Sequence, residues 1–451
     1  MPAAEPATGP APAVQYFMGA IELPGAQLPF FVLVRERDGK PSAVLDIPAQ
    51  GAFGMALSDV RNDAEEIAFA AKQVGARWRA TLDAEGDPDE CSFAQGGATL
   101  PCSLARVDEA TWIAARKPKR PQLPQPPFPY TAREVQIARD DVTLAGTLVL
   151  PAGDGPHPAA LLLTGSGAQD RDETLFDHKP FLVIADHLAR HGIATLRLDD
   201  RGVGGSGGDL AHATLQTLVA DAVAAVAFMR MQPELAPASI GVIGHSEGGL
   251  VAPVAAARSR DVAFVVMLAG PGISGGDVIV DQLEVIARRS GATDAQIQEA
   301  IAQQRRVIEI VRHEAAPAER RAALASALAG DAAALAQLDM VASPWFRSFV
   351  LFEPAPTLRK LRQPVLALLG GLDVQVTAAA NGPALRKALA KNRRAQVREF
   401  TGLNHLFQPA KTGLVAEYGT IEQTMAPEVL DAIATWITAQ GTAARRGEPA
   451  R

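Results

Sequence analysis

The stretch Val242-Ile243-Gly244-His245-Ser246-Glu247-Gly248-Gly249-Leu250 constrains this chain more than any other. An apolar, β-branched run leads into it, and an Ala-rich helical run from Leu250 to Arg258 leads out. A strand that reverses straight into a helix needs glycines on both sides of the turn, because side chains there would strike backbone. Ser246 then stands at the apex, with its hydroxyl forced up into a cleft. Five residues with three fixed recur by chance in many chains. The strand before and the helix after make this one specific.

The sequence around it carries the matching architecture. Beyond residue 130, apolar runs such as Ala159–Leu163, Ile193–Leu198, Ile240–Ile243, Ala263–Leu268, Val365–Leu369 and Gln396–Phe400 alternate with helical stretches, among them Leu175–His191 and Ala213–Met231. Such alternation predicts an α/β fold, a mainly parallel sheet flanked by helices. Active sites on such sheets lie at the carboxyl ends of strands. We expect this domain over residues 131–272 and 364–441. The intervening residues 273–363, rich in Ala, Arg, Gln and Glu, are read as a helical cap inserted above the turn, since structureless loops of that length are uncommon. Within the cap, Trp345, Phe346, Phe349 and Phe352 either line a pocket or, more in keeping with large apolar residues, form core.

Upstream, prolines at positions 118, 121, 124, 126, 127 and 129 forbid helix or central strand, and residues 118–130 read as a stiff linker. Residues 14–117 carry short β runs between turn signals and form a small β-rich domain without a catalytic cluster. Residues 1–13, rich in Ala and Pro, are expected to be disordered and lack the pattern of a signal peptide. The two cysteines, Cys91 and Cys102, flank Gly96-Gly97. They either pair across a hairpin in an oxidising compartment or remain reduced and half-buried. Compartment and oligomeric state stay open. A net charge of −7 without a basic cluster argues against nucleic acid, and no apolar run is long and clean enough to span a bilayer.

A serine hydroxyl is a poor nucleophile at neutral pH and needs a base, which in turn needs an orienting carboxylate. His405 is the candidate base, because its loop Thr401-Gly402-Leu403-Asn404-His405 follows a strand end. Asp373 is the candidate acid, immediately beyond the hydrophobic Leu366–Gly371 run, with Asp277 as runner-up. The order Ser246, Asp373, His405 separates this arrangement from the other serine-protease folds. His245 sits beside the serine, where geometry points it away from the hydroxyl. The oxyanion of a tetrahedral intermediate would be held by backbone N–H groups of Glu247 and of Ser166, with Gly167 next, in the loop Thr164-Gly165-Ser166-Gly167. The Glu247 side chain needs no more than its place at a helix N-terminus to account for it. Gly202-Val203-Gly204-Gly205-Ser206-Gly207 fits a dinucleotide-binding pattern, but the acidic residue that fold wants is missing, since Asp221 falls inside a helix. Asp199, Asp200 and Arg201 are expected to tie that loop down by ion pairing. No organic cofactor is called for, and no Cys/His cluster offers a metal site.

Taken together, Leu163–Asp172, Asp200-Arg201-Gly202 with Gly204 and Ser206, Gly244–Gly249, Asp373 and His405 resemble bacterial α/β-hydrolase-fold serine esterases. They are similar to the group with an extra N-terminal β domain that borders the prolyl-oligopeptidase-like hydrolases. Leu45–Gly51 carries the N-terminal part of the likeness loosely. The resemblance implies a Ser–His–Asp carboxylesterase acting on short acyl esters of small molecules. Its rivals are a peptidase or amidase, for which no propeller repeat is present, and a non-catalytic carbohydrate-binding protein.

Overall fold

Nine strands build the N-terminal unit in the computed structural model, which describes residues 13–23, 26–37, 40–50, 52–116, 119–140, 142–314 and 316–446. They are β1 (Ala13–Leu23), β2 (Ala26–Arg37), β3 (Lys40–Ile47), β4 (Ala52–Ala56), β5 (Ser58–Asn62), β6 (Glu66–Ala71), β7 (Ala76–Leu82), β8 (Pro88–Gln95) and β9 (Ala98–Val107), followed by helix α1 (Glu109–Arg116). The sheet order is β4-β3-β2-β1-β9-β8-β7-β6-β5, so β4 and β5 are its two edges. A flat sheet of this width would hold those edges about 38 Å apart. Leu57 alone joins them, and its N–H donates to Ala43 O on β3 at 2.9 Å. One residue spans only a few ångströms, so the sheet has to curl on itself. Its interior is filled by Phe17, Phe30, Phe69, Trp78 and Phe93, with the Trp78 ring 4.8 Å from that of Phe93. The expected disorder of residues 1–13 falls, but for Ala13, outside the described residues.

The second unit begins at Arg120. Its strands are β10 (Tyr130–Arg139), β11 (Val142–Pro151), β12 (His157–Leu163), β13 (Ala194–Leu198), β14 (Leu235–His245), β15 (Val265–Leu268), β16 (Val365–Gly370) and β17 (Ala395–Phe400). They lie in the order β10-β11-β13-β12-β14-β15-β16-β17. The β10–β11 and β11–β13 pairs are antiparallel and the rest parallel, as expected for an α/β fold. Alternate side chains feed the two faces, as Val242 and Ile243 do from β14. Helices α2 (Pro180–Arg190) and α13 (Pro427–Arg446) cover one face. Helices α3 (Leu215–Arg230), α4 (Gly248–Arg258) and α12 (Ala378–Leu389) cover the other. From β12 the chain steps one way to β13 and later the other way to β14. This reversal opens a crevice at the carboxyl ends of β12 and β14.

Between β15 and β16 lie α5 (Gly275–Arg289), α6 (Asp294–His313), α7 (Pro317–Ala327), α8 (Ala332–Ala336), α9 (Leu338–Ala342), α10 (Pro344–Val350) and α11 (Pro354–Leu358). They enclose a separate small core of Val307, Ile308, Val311, Leu324, Leu338, Phe346 and Val350. No helix among the described residues is long and apolar enough to cross a membrane. One helix starts later than its periodicity predicts. The Leu175–His191 run is helical only from Pro180, because Lys179 before the proline is held outside the helical region (φ −130°, ψ 72°), and Leu175 and His178 pair as a tight bridge instead.

Of the two cysteine readings, the bonded one holds: Cys91 and Cys102 face each other across β8 and β9 and form a disulfide. Closing a loop of 11 residues restricts the unfolded chain by about 2–3 kcal/mol. Replacing both cysteines with serine should lower the stability of the N-terminal unit by that amount in calorimetric unfolding, while an unchanged transition would show that the bond constrains nothing.

Candidate active site

The turn after β14 is built by steric exclusion. Ser246 holds a left-handed backbone (φ +52°), and its N–H donates to Leu268 O at 2.8 Å. A Cβ on Gly244 would lie 2.0 Å from Gly248 O, and one on Gly248 would lie 2.2 Å from Leu163 O. No other residue fits either place. Ser246 remains half-buried at the end of the central strand.

Two further strand ends deliver the partners. Asp373 follows β16 and is 2 % exposed. Its Oδ1 accepts from the N–H groups of Gln375 (2.7 Å) and Val376 (2.9 Å), and its Oδ2 accepts from His405 Nδ1 at 2.8 Å. His405 follows β17 in a loop stitched by the buried Asn404, whose Oδ1 accepts from Leu406 N–H and Gln408 N–H. With Nδ1–H committed to the carboxylate, His405 presents Nε2 as its free basic atom. Among the described residues the Ser246 hydroxyl has no hydrogen-bond partner, and a nucleophile–base contact often tightens only with substrate bound. Asp277, the runner-up acid, instead accepts from Ser274 Oγ at the start of α5.

His245 has a different task. Its Nδ1 lies 2.8 Å from Glu173 Oε1 and its Nε2 lies 3.0 Å from the carbonyl oxygen of His405. Burial lowers its basicity, but the Glu173 carboxylate and the His405 carbonyl raise it further, and the net shift is upward. Both neighbours are acceptors, so a doubly protonated ring paired with Glu173 satisfies them. The ring lies tilted, with its centroid 4.8 Å from that of His405, and thereby packs against the candidate base. Glu173 Oε1 also accepts from Gly165 N–H at 2.6 Å, which ties the loop after β12 to the same pair.

That loop is pinned along its length. Thr164 Oγ1 and Gln169 N–H donate to Asp200, and Arg171 donates through backbone and side chain to Asp199. A Cβ on Gly165 would lie 3.3 Å from Ser246 Cβ, which places the loop against the serine. Among the described residues, the N–H groups of Ser166, Gly167 and Glu247 have no acceptor. Asp199 and Arg201 do form ion pairs, with Arg171 and Asp221. Asp200 does not: it is hydrogen-bonded to neutral donors, and burial pushes its carboxyl up to about 7. Gly204 abuts the Asp199 carboxylate, leaving no cradle for a pyrophosphate at that glycine run.

A cavity of about 790 Å³ opens beside the turn, lined by Gly165, Ser166, Gly167, Glu247, Gly248 and Trp345 among others. The Glu247 side chain is not the exposed helix-terminal carboxylate that its position predicts. It is 4 % exposed, and Trp345 Nε1 from the cap donates to its Oε1 at 2.7 Å. Burial pushes its carboxyl up to about 7, with Asp200 adding to the rise and the Trp345 bond opposing it. Of the four cap aromatics, Phe346 is core, Phe349 and Phe352 pack against the sheet core, and Trp345 lines the cavity. Among the described residues, His187, His191 and Asp431 at the surface of α2 and α13 are the group whose spacing could hold a metal ion, and none of them belongs to this site.

Glu173 and Asn404 were not given roles from sequence, although Glu173 directly follows the Leu163–Asp172 run and Asn404 lies in the His405 loop, and Trp345 was left between pocket and core.

The raised Glu247 carboxyl has a consequence for stability. Its folded-state value of about 7 exceeds the usual 4.5, so its contribution is fully present below about 4.5 and is lost as pH rises through 7. Glu247→Gln cannot ionise. Its stability relative to wild type should improve by about 2–3 kcal/mol between pH 5 and pH 8 in urea denaturation; a difference that does not vary with pH would contradict the buried carboxyl.

A family model described as serine aminopeptidase, S33 matches residues 179–407, just over half of the chain. Esterase EstD of Thermotoga maritima is 28% identical over 298 residues, which make up 65% of this chain and 65% of that relative, so the chain spans about two thirds of its length. Among solved structures, an esterase from Pyrococcus furiosus is similar at a TM-score of 0.44 and 14% identity, covering 72% of this chain and 98% of that one. Est1E from Butyrivibrio proteoclasticus with ferulic acid bound is similar at a TM-score of 0.43 and 19% identity, covering 68% and 99%. With a match that runs from the start of α2 to just past His405, the chain belongs to the serine aminopeptidase S33 family of α/β-hydrolases.

Proposed function

We propose that the protein is a serine carboxylesterase that hydrolyses esters of small molecules through an acyl-enzyme. Ser246 attacks the ester carbonyl, and His405 Nε2 takes its proton and hands it to the leaving alcohol. Asp373 fixes the imidazole tautomer and stabilises the imidazolium. The N–H groups of Ser166 and Glu247 receive the oxyanion, with Gly167 N–H next in line. Water, activated by His405, then releases the acid. The observation that carries this reading is the Asp373–His405 bond of 2.8 Å, with the His405 carbonyl hydrogen-bonded to the residue before a serine held at positive φ. The esterase relative, EstD, supports the choice of ester over amide. Short acyl esters are the first substrates to assay, and no step calls for a cofactor or a nucleic-acid partner.

The family description favours a second reading, amide hydrolysis of aminoacyl substrates. Ser246→Ala should lower kcat/KM for p-nitrophenyl acetate by at least about a thousandfold, the scale expected when a triad member is lost. A rate near wild type would sink the proposal. Wild-type enzyme that cleaves aminoacyl p-nitroanilides faster than p-nitrophenyl esters would favour the peptidase.

A further inference from the structure

The cavity beside Ser246 is larger and more selectively furnished than a short acyl group requires. Its volume of about 790 Å³ lies within the range of about 300–1,000 Å³ found for sites that hold drug-sized ligands. An acetyl group would fill only a small part of it. Apolar side chains dominate the lining, including Leu144, Leu163, Leu198, Leu218, Val251 and Met340.

Its position fixes which half of an ester it can take. Ser166, Gly167 and Glu247, the proposed oxyanion donors, line the cavity, whereas Ser246, Asp373 and His405 do not. The leaving oxygen has to lie at His405 Nε2 to receive its proton. The alcohol therefore leaves on the His405 side, and the cavity is on the acyl side.

Most of the charged groups lining it are already matched, His212 with Asp209 and Asp339 with Arg321 among them. Asp199 pairs with Arg171, Arg201 with Asp221, and Asp200 accepts from Thr164 and Gln169. Glu247 Oε1 accepts from Trp345, but among the described residues Glu247 Oε2 has no hydrogen-bond partner. Glu247 Oε2 opens into this largely apolar cavity, where a polar group of a ligand can meet it. A hydroxyl suits it best, because it donates to the ionised carboxylate and accepts from the protonated acid. An ammonium suits the ionised form alone.

We propose that this cavity is an acyl pocket for large apolar acyl groups carrying a hydroxyl, and that the Glu247 side chain is its specificity-determining polar group. The proposal rests on the esterase reading above. It differs from the expectation of short acyl chains, which would bind but leave most of the pocket empty. Each buried methylene favours binding by about fourfold, so a longer chain gains steeply until the pocket is filled.

The test uses the full chain and the p-nitrophenyl esters of acetate, octanoate and 8-hydroxyoctanoate. In the wild type, kcat/KM should rise at least tenfold from acetate to octanoate and about fivefold further for the hydroxyacyl ester. Leu218→Trp, which fills the cavity, should cut the octanoate-to-acetate ratio at least tenfold. Glu247→Leu should abolish the hydroxyl preference, and Glu247→Gln, which keeps a hydrogen-bonding amide and the Trp345 contact, should retain it. A wild type that prefers acetate to octanoate overturns the acyl pocket while leaving the esterase intact. Equal rates for the two long esters overturn the role of Glu247. If no ester is cleaved, the esterase reading fails, and calorimetric binding of octanoic and 8-hydroxyoctanoic acids reads the cavity independently. Tighter binding of the hydroxy acid that disappears in Glu247→Leu supports the pocket, and equal or absent binding overturns it.

Discussion

Backbone touching backbone at the Gly244–Gly248 turn is the constraint on which the site depends. A Cβ at either glycine would overlap a carbonyl oxygen, so the strand and helix can meet only with hydrogen atoms at those places. The same crowding forces Ser246 to positive φ, which a serine adopts only where its surroundings over-determine it. The N–H bond from Ser246 to Leu268 O and the burial of β14 on both faces supply that rigidity. The serine is therefore aimed by the fold itself, before any partner is considered.

Around the serine, the polar groups form one connected set. His245, the residue before the serine, bridges Glu173 to the carbonyl of His405, and Glu173 in turn holds Gly165. One buried ion pair thus couples the loop that carries His405 to the loop that carries Gly165 and Ser166. Breaking a pair so deeply buried is costly, since the remaining charge has no solvent to meet it. Its presence next to Ser246 accounts for a histidine at a position where no base is needed.

Much of the second unit was legible in the sequence because its determinants are local. Strands buried on both faces read as apolar runs, α4 ends at Arg258 as its helical run does, and the glycines of the turn report sterics within five residues. Asp373 and His405 lie at the strand ends that their sequence indicates, and they hydrogen-bond to each other. What escaped depends on distant partners. His245 meets Glu173 across 72 residues, and Trp345 meets Glu247 across 98, so neither pairing leaves a local pattern. Glu247 looked like an ordinary helix-terminal acid until the cap was seen to bury it. In the N-terminal unit, β8 (PDECSFAQ) is polar and starts with proline, and the curl of the sheet depends on Leu57, a residue with no turn signal.

The claim at the centre of this account is that Ser246 is the nucleophile, activated by His405. Treatment with a fluorophosphonate followed by peptide mass spectrometry tests it most directly. A single phosphonyl adduct on Ser246, strongly slowed in His405→Ala, is the predicted result. No adduct, or an adduct on another residue with Ser246 unmodified, would contradict it.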